Sequence, residues 1–142
     1  MGQESVKAVS KDPDLDLVAQ TDLGDKLPEI IDQTKAQVVV DFTTAAAAMK
    51  NADCIIESGA RPVIGTSGLL PEQVAELQKL CNKQNLGGII VPNFAIGAVL
   101  MMKYSQDAAK YFPHVEVIEL HHDLKADAPS GTAIKTANLL AE

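Results

Sequence analysis

The chain has 142 residues, enough for one ordinary domain or for one domain and part of a second. Its formal net charge of −7 argues against a nucleic-acid partner, which needs a basic face, and no apolar run approaches the roughly 18 residues of a membrane span. Cys54 and Cys81 have no metal-ligand spacing to each other or to a histidine, and no secretion signal opens the chain. Composition therefore predicts a cytoplasmic protein with free thiols and no metal site.

The first part of the chain alternates between helical and extended patterns. Residues 3–11 predict a short helix, and residues 15–21 predict a strand that ends in a turn. Residues 28–34 predict a second short helix. The run QVVVDF at 37–42 is apolar and rich in β-branched residues, which predicts a strand buried on both faces.

The alternation continues through the middle of the chain. An alanine-rich helix is predicted over 44–58, a short buried strand over 62–65, a helix over 71–85 and another strand over 89–91. Strands and helices that alternate at this spacing predict βαβ units and hence an α/β fold with a parallel sheet.

Polar or glycine-rich residues follow each predicted strand, at 21–22, 41–43, 65–68 and 92–94. Ligands of parallel sheets collect where the strands end, so these residues predict a ligand-facing rim. Asp22 stands where a dinucleotide-binding fold places an acidic residue on the ribose hydroxyls. An ordinary turn aspartate is the alternative, and the residues alone leave both interpretations open.

The pattern changes after Pro92. Residues 96–111 predict a longer helix, residues 115–120 alternate as a strand, and residues 132–140 predict a final helix. Two adjacent histidines follow the predicted strand directly.

Ser130-Gly131-Thr132 opens the last predicted helix. Unpaired backbone N–H groups, a hydroxyl and the positive end of the helix dipole together suit a carboxylate or a phosphate. Simple capping of the helix by Ser130 is the alternative interpretation.

His121, His122 and Lys125 lie within twelve residues of this triplet. A histidine transfers protons near neutral pH, and a lysine stabilises a developing negative charge. Adjacent histidines at a strand end point in different directions, so at most one is expected to do chemistry. The alternative is a set of solvated surface residues, and the clustering favours a site.

Four strings in the sequence resemble the dihydrodipicolinate reductase family. They are VVVDFTT (38–44), VIGTSGL (63–69), VPNFAIGAVLM (91–101) and ELHHDLKADAPSGTA (119–133). The last string is highly specific. The order and separation of all four match the family, so the resemblance covers essentially the whole chain.

The resemblance implies an incomplete Rossmann-like domain over residues 1–95, followed by the start of an α+β substrate and tetramerisation domain over 96–142. The family's first strand and glycine fingerprint would precede Met1, and the rest of the substrate domain would follow Glu142. The implied activity is reduction of a cyclic dihydrodipicolinate-type intermediate with NADH or NADPH, in lysine and diaminopimelate biosynthesis. The family is homotetrameric and cytoplasmic, or plastid in a plant. Leu23 replaces an arginine found in some members, which favours NADH, although many members use both cofactors.

The resemblance also implies roles for individual residues. His121 matches the proton donor and Lys125 its catalytic partner. The matching substrate-binding residues are His122, Lys125, Ser130, Gly131 and Thr132. The matching cofactor-binding residues are Asp22, Phe42, Gly65, Thr66, Gly68, Asn93 and Phe94.

Two other functions remain as alternatives. A non-catalytic relative would bind a partner or a dicarboxylate without turnover. A hydrolase would use Ser130 with His121 or His122, but no G-x-S-x-G nucleophile elbow surrounds this serine.

Overall fold

The computed structural model describes residues 1–66, 68–91, 93–124 and 128–141. The chain forms two compact units, Met1–Ile90 and Val91–Glu142. The division predicted from the sequence falls after residue 95.

The first unit is a parallel sheet with helices between its strands. In chain order its elements are α1 (Gly2–Val9), α2 (Leu27–Thr34), β1 (Val38–Asp41), α3 (Ala45–Glu57), β2 (Arg61–Ile64), α4 (Pro71–Gln84) and β3 (Ile89–Ile90). The strand order is β1-β2-β3, and both pairings are parallel. The predicted βαβ units and the parallel sheet are therefore confirmed.

Helix α3 forms the centre of the core. Ala48, Ala52 and Ile56 recur every four residues, so they share one helix face, and all three are fully buried. They pack with Ile64 of β2 and Leu77 of α4. The two alanines are small, which lets the helix backbone lie close to its neighbours.

The prediction that the β1 run is buried on both faces was wrong. Val38 and Val40 are 51% and 42% exposed, whereas Val39 packs in a cluster with Ile31 and Ile55. Successive side chains of a strand point to opposite faces, and the described helices cover only the face that carries Val39. The other face of β1 is exposed.

The strand predicted over residues 15–21 was also wrong. All seven residues are described, all are exposed, and they form neither helix nor strand. A β-strand is stabilised by hydrogen bonds to a neighbouring strand, and none of the described strands pairs with this segment.

The second unit is built on two helices, α5 (Ile96–Ala109) and α6 (Gly131–Ala141), which pack against each other. Met102 of α5 and Thr136 of α6 are its buried residues. The strand predicted over 115–120 does not form, because none of the described strands pairs with this segment. Within the described ranges, no helix combines the length and the apolar character needed to cross a bilayer.

Candidate functional site

The end of β1 is organised by a buried carboxylate. Asp41 is 4% exposed, and its Oδ1 accepts a hydrogen bond from the backbone N–H of Thr43 at 2.6 Å. Its Oδ2 accepts one from Nδ2 of Asn51 at 2.9 Å. The same Asn51 amide donates to Oγ1 of Thr43 at 3.2 Å. Asp41 and Asn51 thus fix the loop after β1 against α3.

The loop after β2 lies beside the loop after β1. The backbone N–H of Gly65 donates to the carbonyl of Asp41 at 2.8 Å, and Oγ1 of Thr66 donates to the carbonyl of Thr43 at 3.2 Å. Neighbouring parallel strands end at the same sheet edge, so these two loops lie side by side as expected, and their facing a ligand stays a prediction. The structure thereby brings together the predicted cofactor residues Phe42, Gly65 and Thr66.

Gly68 has a conformation and a position that favour glycine. Its φ is +97°, in the left-handed region, and a Cβ added there would lie 3.0 Å from Cβ of Ala45. The loop after β2 therefore passes close to the first residue of α3, where a side chain would be crowded.

Asp22 lies in an exposed turn rather than at a strand end. Its backbone N–H donates to Oδ2 of Asp25 at 2.8 Å, and its own Oδ1 accepts from the N–H of Leu23 at 2.7 Å. This is the hydrogen bonding of a turn aspartate. Within the described ranges, no hydrogen bond joins Asp22 to the loops after β1 and β2.

In the second unit, one carboxylate joins the histidine segment to the last helix. Oε1 of Glu119 lies 2.9 Å from Nδ1 of His121, and Oε2 accepts a hydrogen bond from the backbone N–H of Ser130 at 2.8 Å. The imidazole of His121 and the backbone of Ser130, the residue before α6, therefore contact the same carboxyl group.

Among the described residues, some of the polar groups at the start of α6 are hydrogen-bonded and others are not. Oγ of Ser130 accepts a hydrogen bond from the N–H of Ala133 at 3.0 Å, so the capping interpretation of this serine is confirmed. The N–H of Ser130 is bound to Glu119. In the part of the chain that the structure describes, the N–H groups of Gly131 and Thr132 have no hydrogen-bond acceptor. These two amides remain available for an anion.

Asn93 connects the starts of α5 and α6. Its Nδ2 donates to Oγ1 of Thr132 at 3.0 Å, and its Oδ1 accepts from the N–H of Ala95 at 2.8 Å. A predicted cofactor residue and a predicted substrate residue are thus in direct contact within the second unit.

Three predicted residues remain, namely Lys125, His122 and Phe94. Lys125 lies outside the described residues. His122 and Phe94 are exposed. Among the described residues, the hydroxyl of Ser130 makes no hydrogen bond to a histidine, which removes the pairing that a serine hydrolase requires.

Neither cysteine has the environment of a nucleophile. Burial raises the pKa of the Cys54 thiol and that of the Cys81 thiol, which disfavours the reactive thiolate. Within residues 1–66, 68–91, 93–124 and 128–141, no group of three or more potential ligands could hold a metal ion.

Sequence reasoning gave no individual role to Glu119, Asp41 or Asn51. Glu119 stands two residues before His121 in the segment with the strand-like pattern, and in a strand that spacing would put both side chains on one face. Asp41 stands two residues before Thr43, the spacing at which an aspartate accepts a hydrogen bond from the backbone. Asn51 gives no comparable local signal, because its partners are eight and ten residues away.

Comparison with known proteins covers both units. Residues 1–94 match the family model "Dihydrodipicolinate reductase, N-terminus", and residues 97–142 match "Dihydrodipicolinate reductase, C-terminus". The 4-hydroxy-tetrahydrodipicolinate reductase of Coxiella burnetii is 54% identical over 142 residues, which are 100% of this chain and 59% of that protein. The protein of the same name from Streptococcus pneumoniae is 52% identical over 153 aligned residues, covering 100% of this chain and 60% of that protein.

A solved structure is also similar. The dipicolinate-bound dihydrodipicolinate reductase from Paenisporosarcina sp. TG-14 superposes with a TM-score of 0.77 at 41% identity. The match covers 99% of this chain and 61% of that one, so the chain again spans about three fifths of its relative. With both family models matched in order along its length, this chain belongs to the dihydrodipicolinate reductase family.

Proposed function

We propose that this chain is part of a 4-hydroxy-tetrahydrodipicolinate reductase. The reaction reduces a cyclic dihydrodipicolinate-type intermediate to tetrahydrodipicolinate with NADH or NADPH, in lysine and diaminopimelate biosynthesis. The proposal rests on membership of the family and on the residues around Glu119.

The single observation that supports this function most is the link from His121 through Glu119 to the start of α6. Reduction of a ring dicarboxylate needs an anion site and a proton donor within reach of one small molecule. The N–H groups of Gly131 and Thr132 suit a carboxylate, and His121 suits the proton donor. The Paenisporosarcina relative was solved with dipicolinate, itself a ring dicarboxylate.

The first unit has features that fit a nicotinamide cofactor. The loops after β1 and β2 lie side by side at the carboxyl edge of a parallel sheet, and Gly68 lies too close to Ala45 for an unhindered side chain. We propose that Phe42, Gly65, Thr66 and Gly68 contact the cofactor there. We further propose ribose contacts from Asp22 and contacts from Asn93 and Phe94. Such a cofactor supplies the hydride when bound.

The residues of the second unit supply the rest of the chemistry. As the hydride adds to one end of a conjugated imine, an electron pair moves to the far end and must be quenched by a proton. His121 delivers that proton, so that a hydride and a proton have been added in total. The amides of Gly131 and Thr132 hold a substrate carboxylate. Lys125, with its fixed positive charge, and His122 complete the substrate contacts.

We also propose that the protein acts as a homotetramer in the cytoplasm of a bacterium. The similar curated proteins named above are bacterial. Ile118, Leu120 and Leu124 of the second unit are all highly exposed, and a stretch of large exposed apolar side chains is typical of a surface that other protein covers.

A steady-state assay of the full-length protein tests the proposed chemistry. His121→Gln should lower kcat by about 100-fold while changing KM far less, because it removes a proton donor rather than a binding group. The assay follows loss of NADH or NADPH absorbance with substrate made in situ by the preceding synthase.

The matched control is His114→Gln. His114 is exposed and described but has no proposed role, so this substitution should leave both constants unchanged. Unchanged kcat in His121→Gln would remove His121 from the proton-donor role. Absence of cofactor oxidation by the unsubstituted protein would support the non-catalytic alternative instead.

A further inference from the structure

Glu119 makes two polar contacts that serve different parts of the same site. Its Oε1 faces Nδ1 of His121 at 2.9 Å, and its Oε2 accepts the N–H of Ser130 at 2.8 Å. Its side chain is 20% exposed, whereas that of His121 is 43% exposed. The carboxylate side chain is thus less exposed to solvent than the imidazole side chain.

We propose that Glu119 is a positioning residue for the reduction, holding the Nδ1–H of His121 so that Nε2 carries out the proton transfer. This inference rests on the proposed function, because it assigns a role within that reaction. Glu119 acts in this role through its contacts with His121 and with the Ser130 backbone.

The tautomer of His121 follows from the partner of Nδ1. A carboxylate only accepts hydrogen bonds, so the nitrogen that faces it must carry a proton. Nε2 then holds the second proton of the imidazolium before transfer. When Nε2 gives that proton to the reduced substrate, the imidazole is left neutral with its Nδ1 proton still bound to Glu119. Solvent then restores the Nε2 proton, and the carboxylate remains ionised throughout.

The hydrogen bond from the N–H of Ser130 to Glu119 relates the proton donor to the anion site. By accepting the N–H of Ser130, Glu119 fixes the residue that immediately precedes the amides of Gly131 and Thr132. It leaves those two amides to the substrate. One carboxyl group therefore sets both the orientation of the imidazole and its separation from the bound carboxylate.

Glu119→Gln separates the effect on the His121 imidazole from the effect on the Ser130 N–H, because a carboxamide has one acceptor group and one donor group. If the amide oxygen keeps the Ser130 N–H, the NH₂ group must donate to Nδ1 of His121. That arrangement deprotonates Nδ1 and moves the single proton of the neutral ring to Nε2. It also removes a negative charge next to an anion site, so affinity for a dicarboxylate should not fall.

The experiment compares Glu119→Gln with unsubstituted full-length protein in three measurements. First, kcat should fall by about 10- to 100-fold, with a much smaller change in KM. Second, dipicolinate, used as the binding probe in a calorimetric titration, should keep an equal or lower Kd. Third, ¹⁵N NMR of His121 should show the neutral ring protonated at Nδ1 in the unsubstituted protein and at Nε2 in the variant.

Glu116→Gln is the matched control, because Glu116 is an exposed carboxylate three residues away with no contact to His121 or Ser130 among the described residues. It should change none of the three measurements. Unchanged kcat or an unchanged tautomer in Glu119→Gln overturns the inference. So does an increase in the Kd of dipicolinate in parallel with the fall in kcat, which would indicate a purely structural role. Failure of the proposed function is distinct, since the unsubstituted protein itself would then be inactive while the NMR comparison still reports on Glu119.

Discussion

Each of the two units has one carboxylate that organises its candidate functional residues, and the two carboxylates lie in different settings. Asp41 is 4% exposed and lies where β1 meets its loop, with both oxygens hydrogen-bonded to the protein. The Glu119 side chain is 20% exposed and lies in a segment without helix or strand, again with both oxygens engaged.

Because the two carboxylates lie in different settings, we expect one to matter for stability and the other for function. Around Asp41 the backbone is already fixed by the β1–β2 ladder and by α3, so the buried carboxylate mainly satisfies nearby donors in part-buried hydrogen bonds. Around Glu119 no strand or helix fixes the chain between residues 113 and 124, and the position of His121 depends on its side-chain contact with Glu119. Loss of Asp41 should therefore lower stability, whereas loss of Glu119 should lower turnover.

The largest expected effect on stability is that of Asp41→Asn. An asparagine offers one acceptor, so its NH₂ group must face either the Thr43 N–H or the NH₂ group of Asn51, and both are donors. We expect the free energy of unfolding to fall by about 1 to 3 kcal/mol. Urea denaturation measures it, and Glu119→Gln in the same experiment should change it by less.

A second substitution tests whether the donor conflict is the cause. In Asp41→Asn with Asn51→Asp, the new amide donates to the new carboxylate, which also accepts from the hydroxyl of Thr43. A double-mutant cycle should show recovery of much of the lost stability. If the double variant is as unstable as the sum of the two single variants, the loss comes from something other than this pair.

The sequence predicts the first region better than the second, for reasons that lie in particular residues. QVVVDF and PVIG are local patterns whose strand character is completed by a neighbouring strand, so β1, β2 and the adjacency of their loops could be predicted. Residues 15–21 and 115–120 carry equally strand-like patterns but have no pairing partner among the described strands, so the same reasoning was wrong there. A pattern reports propensity, whereas a strand also requires a partner.

The contacts within the second unit differ in the same way in how far the sequence predicts them. Capping of α6 by Ser130 is a local interaction and could be predicted from three residues. The contacts of Asn93 with Thr132 and of Glu119 with Ser130 span 39 and 11 residues of sequence. Such contacts depend on how α5, α6 and the intervening segment pack, which no local pattern encodes.

Gly68→Ala tests how tightly the first region is packed. The left-handed φ of +97° strains an alanine, and its Cβ would also approach Cβ of Ala45 to 3.0 Å. We expect the free energy of unfolding to fall by about 1 to 2 kcal/mol. Gly24→Ala is the matched control, because Gly24 has a φ of +98° but nothing within 4 Å of an added Cβ. Equal losses in the two variants would show that strain acts alone and that the contact with Ala45 contributes nothing.

The smallest expected effect concerns a third carboxylate, Asp53 of α3, which has no hydrogen-bond donor in the part of the chain that the structure describes. Burial raises its pKa above the ordinary value of 3.8, and the nearby carboxylates of Glu76 and Glu57 raise it further. A carboxyl group whose pKa is raised on folding stabilises the fold at pH values below its ordinary pKa. It loses that contribution as the pH rises through its pKa in the folded protein.

Asp53→Asn should therefore raise the free energy of unfolding near neutral pH, by less than about 1 kcal/mol because solvent screens this partly exposed group. The gain should shrink as the pH falls toward 3.8. Asp107→Asn provides a control of opposite sign, because a hydrogen bond from Lys110 and the charge of that lysine lower the pKa of Asp107. It should slightly lower stability near neutral pH, with the difference vanishing in acid. Denaturation of both variants across this pH range tests this difference. Asp107 gains a hydrogen bond and a positive charge on folding, whereas Asp53 gains burial and like charges, so the two substitutions must change stability in opposite directions. Two shifts of the same sign would contradict that distinction.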